Sequence, residues 1–224
     1  MAQIIREVAK ASMAHEIYRN RKGQRVPSVS KVIGVMDKPG LVKWANELGL
    51  QGINSYQYVD ILAGAGTLAH AGVLADLMDT VWDTAPYSKD QINMAKKSVR
   101  KWFKWLDKQK FKMLWAERSL VSEKYQFGGR LDIYGILNGK KTLLDIKTTK
   151  KLYDNHATQT AGYRILLLEN KFPVDESRLL RLPRTDDEGM EPEDKLIEKI
   201  ELHTRRFLKC RELLELNDQI NFQI

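Results

Sequence analysis

Cysteine is nearly absent from this chain: Cys210 is the only one in 224 residues. One thiol closes no internal disulfide, and one thiolate cannot supply the four usually needed for an iron–sulphur cluster or a structural zinc site. Long apolar runs are missing as well. No stretch approaches the roughly 18 consecutive apolar residues needed to cross a bilayer. The start, Met1-Ala-Gln-Ile-Ile-Arg-Glu-Val8, lacks the apolar segment of a signal peptide. These absences lead us to expect a cytoplasmic protein without a membrane partner. There is no internal repeat and no low-complexity tract to suggest a solenoid or a disordered tail.

Acid is in short supply relative to base. The chain has 37 Lys and Arg against 29 Asp and Glu, a formal charge of +8. A basic chain favours a polyanionic partner, because phosphates neutralised by Lys or Arg release their counterions. Many basic proteins bind no nucleic acid, so charge needs a site to give it meaning. With 43% apolar and 29% charged residues, the composition is that of an ordinary globular protein, and the length is accommodated by one domain spanning residues 1–224.

Periodicity divides that domain into three parts. Residues 1–110 read as mainly helical. Residues 1–20 suggest a short helix, and Ser28 caps another through Val35 that stops near Pro39-Gly40. Further helices are expected over Leu41–Glu47 and Tyr58–Val81. A helix starting near Ser88 should bury Ile92, Ala95, Val99, Phe103 and Leu106. Residues 111–182 change period: Leu114–Val121, Gly129–Leu137 and Lys141–Thr149 read as strands, 154–169 as a helix and Ser177–Leu182 as another strand. Residues 183–224 contain an acidic loop, Arg184–Glu193, and a long helix from Asp194 to Leu216. The fold class expected is α/β, a central mixed sheet flanked by helices, with a helical N-terminal half and a long C-terminal helix.

Asn138-Gly139 between two apolar-rich runs is a strong hairpin signal, because both central residues of a type I′ turn need positive φ. That turn pairs Leu137 with Lys140 and, continuing outward, sets Asp132 opposite Asp145. The pair falls at a non-hydrogen-bonded position, where side chains come closest. Two bare carboxylates there repel, which a raised pKa, surrounding solvent or a divalent cation would relieve. Lys147 shares their face by the period of two, while Ile146 and Leu144 point to the other. Carboxylate oxygens suit Mg²⁺ or Mn²⁺, and an ammonium beside them can orient a water and balance phosphate charge. The same residues would equally make a solvated salt-bridge cluster on a sheet face.

The segments Gly128-Gly-Arg-Leu-Asp132 and Asp145-Ile-Lys147 resemble the signature of the PD-(D/E)xK nuclease superfamily, most closely its RecB-like exonuclease branch. Three further segments match that branch in order: Gly66-Thr-Leu-Ala-His70, Glu117 in Trp115-Ala-Glu-Arg118, and Gln159-Thr-Ala-Gly-Tyr163. Val26-Pro-Ser-Val-Ser30 is also similar to the Pro-Ser-Val-Thr opening of the mitochondrial genome maintenance exonuclease and related phage proteins. The four cysteines of the iron–sulphur members have no counterpart.

The resemblance implies a restriction-endonuclease-like core and a metal-dependent DNA nuclease. His70, Asp132, Asp145 and the Ile146 carbonyl would hold Mg²⁺ or Mn²⁺, with Glu117 an outer or second-metal carboxylate. Lys147 would position the attacking water, and Gln159 and Tyr163 would contact the site or the DNA. Read as a relative of that branch, the protein is expected to be an exonuclease acting on DNA ends or single strands in repair, recombination or phage DNA processing, with a recombination or single-strand-binding protein as its partner. A restriction or defence-type endonuclease would use the same chemistry, and a non-catalytic DNA-binding module could keep the same fold. Away from that resemblance, His70 would serve as a core histidine, and Gln159 with Tyr163 would border the core.

From Lys96 to Lys110 seven basic residues face a single acid, Asp107. Lys97, Lys101, Lys104 and Lys108, with Trp105 among them at 100° per residue, form an expected DNA-binding face on which the indole could stack on an unpaired base. A solvated lysine face, with Trp105 packed under lysine stems, is the competing reading.

Overall fold

The computed structural model describes residues 16–220. The helix expected over residues 1–20 lies mostly outside them, and its described end is a strand instead. That strand, β1 (Tyr18–Arg19), pairs with β2 (Arg25–Val26) across the polar turn. Ser28 then caps α1 (Val29–Ile33), its hydroxyl accepting the Lys31 amide at 3.1 Å. Pro39 opens α2 (Pro39–Leu50) rather than ending α1, as suits a residue with fixed φ and no amide to satisfy. Helix α3 (Ser55–Leu77) follows, and α4 (Lys89–Leu106) begins at Ser88 with a capping box closed by Gln91.

Five strands form the central sheet in the order β3 (Phe111–Ser122), β4 (Phe127–Leu137), β5 (Lys140–Lys147), β6 (Glu176–Arg181), β7 (Glu193–Leu196). All neighbours are antiparallel except β5 and β6, which run parallel and are joined by α5 (Asp154–Glu169). Strand β7 occupies residues expected in the last helix, so α6 starts later and spans Ile200–Ile220. Glu193 and Asp194 are drawn into the sheet edge by the guanidinium groups of Arg181 and Arg178, at 2.6 and 2.7 Å.

Helices cover both faces of the sheet, which is therefore mixed, central and buried on both sides. Val29, Val32, Leu131, Tyr134, Leu143, Tyr163, Leu166 and Phe207 build the core under α1, α5 and α6. Val73, Trp102, Trp105, Ile133, Leu137, Leu144, Ile146 and Leu180 build the other, under α3 and α4. Helix α3 is long and apolar enough to span a membrane by composition, but from Ala65 onward it supplies core residues of this domain.

Helix α4 is turned relative to its expected face. Trp102 and Trp105 are buried, and Phe103 is 43% exposed. The step of three residues wins over the step of four because both indoles find acceptors: Trp102 Nε1 donates to Asp76 at 2.8 Å and Trp105 Nε1 to Asp194 at 2.9 Å. Trp105 thus lies inside the core, stacked near Trp102 and Phe111, and is not available to an unpaired base.

Candidate active site

Asn138 and Gly139 adopt φ of 51° and 87°, the turn that the dipeptide demands. The register runs as expected from Leu137↔Lys140 to Ile133↔Leu144 and ends there. One step further, where Asp132 and Asp145 were expected to pair, the two strands part. The Asp132 carboxylate takes over as acceptor, with the Ile146 amide donating to its Oδ2 at 2.8 Å. In a strand the carbonyl of a residue points to the same side as its amide, so the Ile146 carbonyl opens toward the same gap.

The ladder to β3 is interrupted at the same level. Ala116 pairs with Ile133 and Arg118 with Leu131, while Glu117 and Asp132 between them are unpaired. Side-chain alternation slips there in both strands. Leu131 belongs to the α1/α5/α6 core and Ile133, two residues on, to the α3/α4 core. Ala116 and Leu120, four apart, are divided the same way. Glu117 absorbs the slip with φ of 48°, a left-handed conformation costly for a residue that is neither Gly nor Asn. A break shared by two neighbouring strands turns Glu117 and Asp132 out of the regular pleat, next to the end of β5.

Helix α3 brings the histidine. A Cβ on Gly66 would lie 2.7 Å from the Thr148 hydroxyl, so the bare glycine lets α3 settle on the end of β5. One turn later His70 Nδ1 lies 3.7 Å from Asp132 Oδ2. His70, Glu117 and Asp132 offer ligand atoms that all lie within 4.8 Å of one another. Asp145, expected in that set, is not part of it. Its carboxylate is 1% exposed, with Lys147 Nζ 2.6 Å from Oδ2. The ammonium sits off the direction of a hydrogen bond, and neither carboxylate oxygen has a donor.

Burial pushes the Asp145 carboxyl up to about 6, Lys147 pulling against it and the charge of Asp132 adding to it. Glu117 is pushed up to about 7, again by burial first and by Asp132 second, although Arg130 Nε lies 2.7 Å from it. Lys147 is buried too, yet stays above its usual value because of Asp145 and Asp132. This is not a solvated salt-bridge cluster: the acids are crowded, desolvated and short of positive charge.

Helix α5 closes the site from the other face. The Gln159 amide donates to the Tyr163 hydroxyl at 3.1 Å. A Cβ on Gly129 would lie 2.9 Å from the Tyr163 ring, so this glycine admits the tyrosine. Burial and the charges of Asp145 and Asp132 raise Tyr163 well above its usual value, keeping its hydroxyl a donor. Two site residues were missed in the sequence. Arg130, two residues before Asp132, supplies the cation against Glu117. His156 shares a helix face with Gln159 and Tyr163 at i, i+3 and i+7, and is lowered to about 4 by burial and by the charges of Lys147 and Lys38.

The expected basic face on α4 is occupied. Lys97 lies 2.7 Å from Asp186, Lys104 is paired with Glu191, and the buried Lys101 donates to the Pro183 carbonyl at 3.1 Å. The acidic loop folds over the helix, leaving Lys108 exposed near its end. No protein-family model matches this chain, and no curated protein is similar to it.

Proposed function

We propose that the protein is a Mg²⁺- or Mn²⁺-dependent deoxyribonuclease built on a restriction-endonuclease-like core. The observation that carries this reading is the crowding of His70, Glu117, Asp132 and Asp145 at one end of the sheet, with Asp145 buried and without a hydrogen-bond donor. Desolvated acids with raised proton affinity are unfavourable in the protein alone and suit a site completed by a divalent cation. Hard carboxylate oxygens with one imidazole fit Mg²⁺ or Mn²⁺ better than softer metals.

His70, Glu117 and Asp132 would hold the ion, and Asp145 and the Ile146 carbonyl are the neighbouring oxygens that would complete its site. When bound, it supplies Lewis-acid polarisation of the phosphate and lowers the pKa of a water. The rest is done by the chain. Lys147, kept protonated by its two aspartates, offers an ammonium to the attacking water and to phosphate charge. The Tyr163 hydroxyl, kept protonated by burial and by the charges of Asp145 and Asp132, accepts from the Gln159 amide and keeps its own proton for a ligand. Arg130 is placed to meet a phosphate oxygen beside Glu117. The resemblance to the RecB-like branch supports an exonuclease acting on ends or single strands.

End-labelled single- and double-stranded DNA, linear and circular, should be digested with Mg²⁺ or Mn²⁺ and left intact in EDTA. Cleavage that persists in EDTA would sink the metal-dependent mechanism, and cleavage of circles would replace the exonuclease with an endonuclease.

A further inference from the structure

Beside the acid cluster a cleft of about 970 Å³ opens between the β1–β2 hairpin, α1 and β4. We propose that this cleft seats the single strand to be cut, its phosphates held by Arg25 and Lys31. The proposal rests on the nuclease reading above and names the form of its substrate.

Two residues join the cleft to the site. Arg130 and Tyr163 both line it. Arg130 is the residue held against Glu117 at 2.7 Å, and Tyr163 is the hydroxyl beside the buried acids. A chain lying in the cleft therefore runs past the carboxylates, not merely near them.

Charge gives the second argument. Arg25 and Lys31 are exposed, and among the described residues neither has an acidic partner within ion-pair distance. The lysines at the middle of α4, by contrast, are already engaged. The cleft also holds two acids, Glu16 and Asp218. Glu16 is occupied, accepting from the Ser119 hydroxyl at 2.5 Å and from the Tyr18 hydroxyl at 3.2 Å. Unpaired cations lose least when a phosphate arrives, since no existing ion pair is broken.

Size and lining decide the form of nucleic acid. The volume is at the upper end of small-molecule pockets, roughly 300 to 1,000 Å³. That suits a short length of one strand. Tyr18 and Tyr163, the aromatic residues of the lining, are both buried and present no open ring face for a base. Binding should therefore track the backbone and be indifferent to sequence.

The test is fluorescence anisotropy of labelled oligo(dT) with the full chain in calcium, the oligonucleotide being checked for intactness. The wild type should bind oligo(dT) more tightly than a blunt duplex of the same length. R25A/K31A should bind at least about ten-fold more weakly and lose about 1.4 from the slope of log K against log salt, two contacts at roughly 0.7 each for single strands. Should the double variant not fold, R25A and K31A singly should each lose about half of that slope. Equal binding of duplex, or affinity and slope unmoved by the substitutions, overturns the proposal. Wild-type cleavage in Mg²⁺ is assayed in parallel. Binding that depends on Arg25 and Lys31 without cleavage of any substrate would uphold the cleft and sink the nuclease. Cleavage with binding indifferent to both residues would do the reverse.

Discussion

Two clusters of opposite charge sit in this molecule, and they are settled in opposite ways. Over α4, Asp186 and Glu191 of the 184–193 loop each meet a lysine. Asp186 is held below its usual value mainly by a hydrogen bond from Lys97, and Glu191 likewise by Lys104. At the end of β5 the acids outnumber their cations and are pushed up, Glu117 to about 7 and Asp145 to about 6. The first arrangement is complete as it stands. The second carries unrelieved repulsion and a residue in a left-handed conformation, costs that a stability-optimised fold would shed and a binding site keeps. Charge density in the sequence points to the first cluster, whereas unsatisfied charge in the structure points to the second.

The largest effect expected from this contrast is on chemistry. Asp145→Ala should lower cleavage by on the order of 10³-fold or more, as loss of a preorganised charged group does. Oligonucleotide affinity should stay within a few-fold of wild type, because Asp145 is buried beneath the surface that a strand would touch. Full cleavage by this variant would place the repulsive cluster outside the active site and remove the contrast between the two regions.

The next effect is on stability, and its sign is unusual for carboxylates. Groups raised on folding stabilise the protein when protonated, below about pH 4, and that stability is lost as pH rises through the folded values near 6 and 7. Glu117→Gln should therefore melt above the metal-free wild type at pH 8 by a few degrees, with the difference closing toward pH 5. Saturating Mg²⁺ should raise the wild-type melting temperature more than that of the variant. A variant that melts lower at pH 8 would show that the ion pair with Arg130 outweighs the repulsion from Asp132.

Much of this arrangement was legible in the residues themselves. Asn138-Gly139 set the register of β4 and β5 correctly, Ser28 and Ser88 marked helix starts, and the segments around His70, Asp132 and Gln159 do converge. What escaped was the slip at Asp132. Leu131-Asp-Ile133 alternates perfectly on paper, but both faces of this sheet are buried and apolar, so either residue fits either side and the pattern cannot register a change of face. Glu117 carried no warning of positive φ, since Gly and Asn are the residues that announce it. The set gathered around His70 consequently contains Glu117, and Asp145 pairs with Lys147 instead. The face of α4 was misjudged for a similar reason. Trp102 and Phe103 are both apolar, and only the distant acceptors Asp76 and Asp194 decide for the indoles.

The smallest effects concern the settled cluster. The basic run on α4 suggests that replacing Lys101, Lys104 and Lys108 with Glu would weaken DNA binding strongly. With Lys101 buried on a backbone carbonyl and Lys104 on Glu191, neither ammonium is free to meet a phosphate and release its counterion, so the change should instead stay within about three-fold, well under that of R25A/K31A. Freeing the lysines is the sharper manipulation. Asp186→Asn with Glu191→Gln leaves the loop backbone alone and unmasks Lys97 and Lys104, so oligonucleotide affinity should rise by about two-fold at low salt and return to wild type above about 0.3 M, where screening shortens the reach of each charge to well under 10 Å. A gain of ten-fold or more would mean that the acidic loop competes with DNA for α4. The two clusters would then act as one surface, not as a settled region beside a working one.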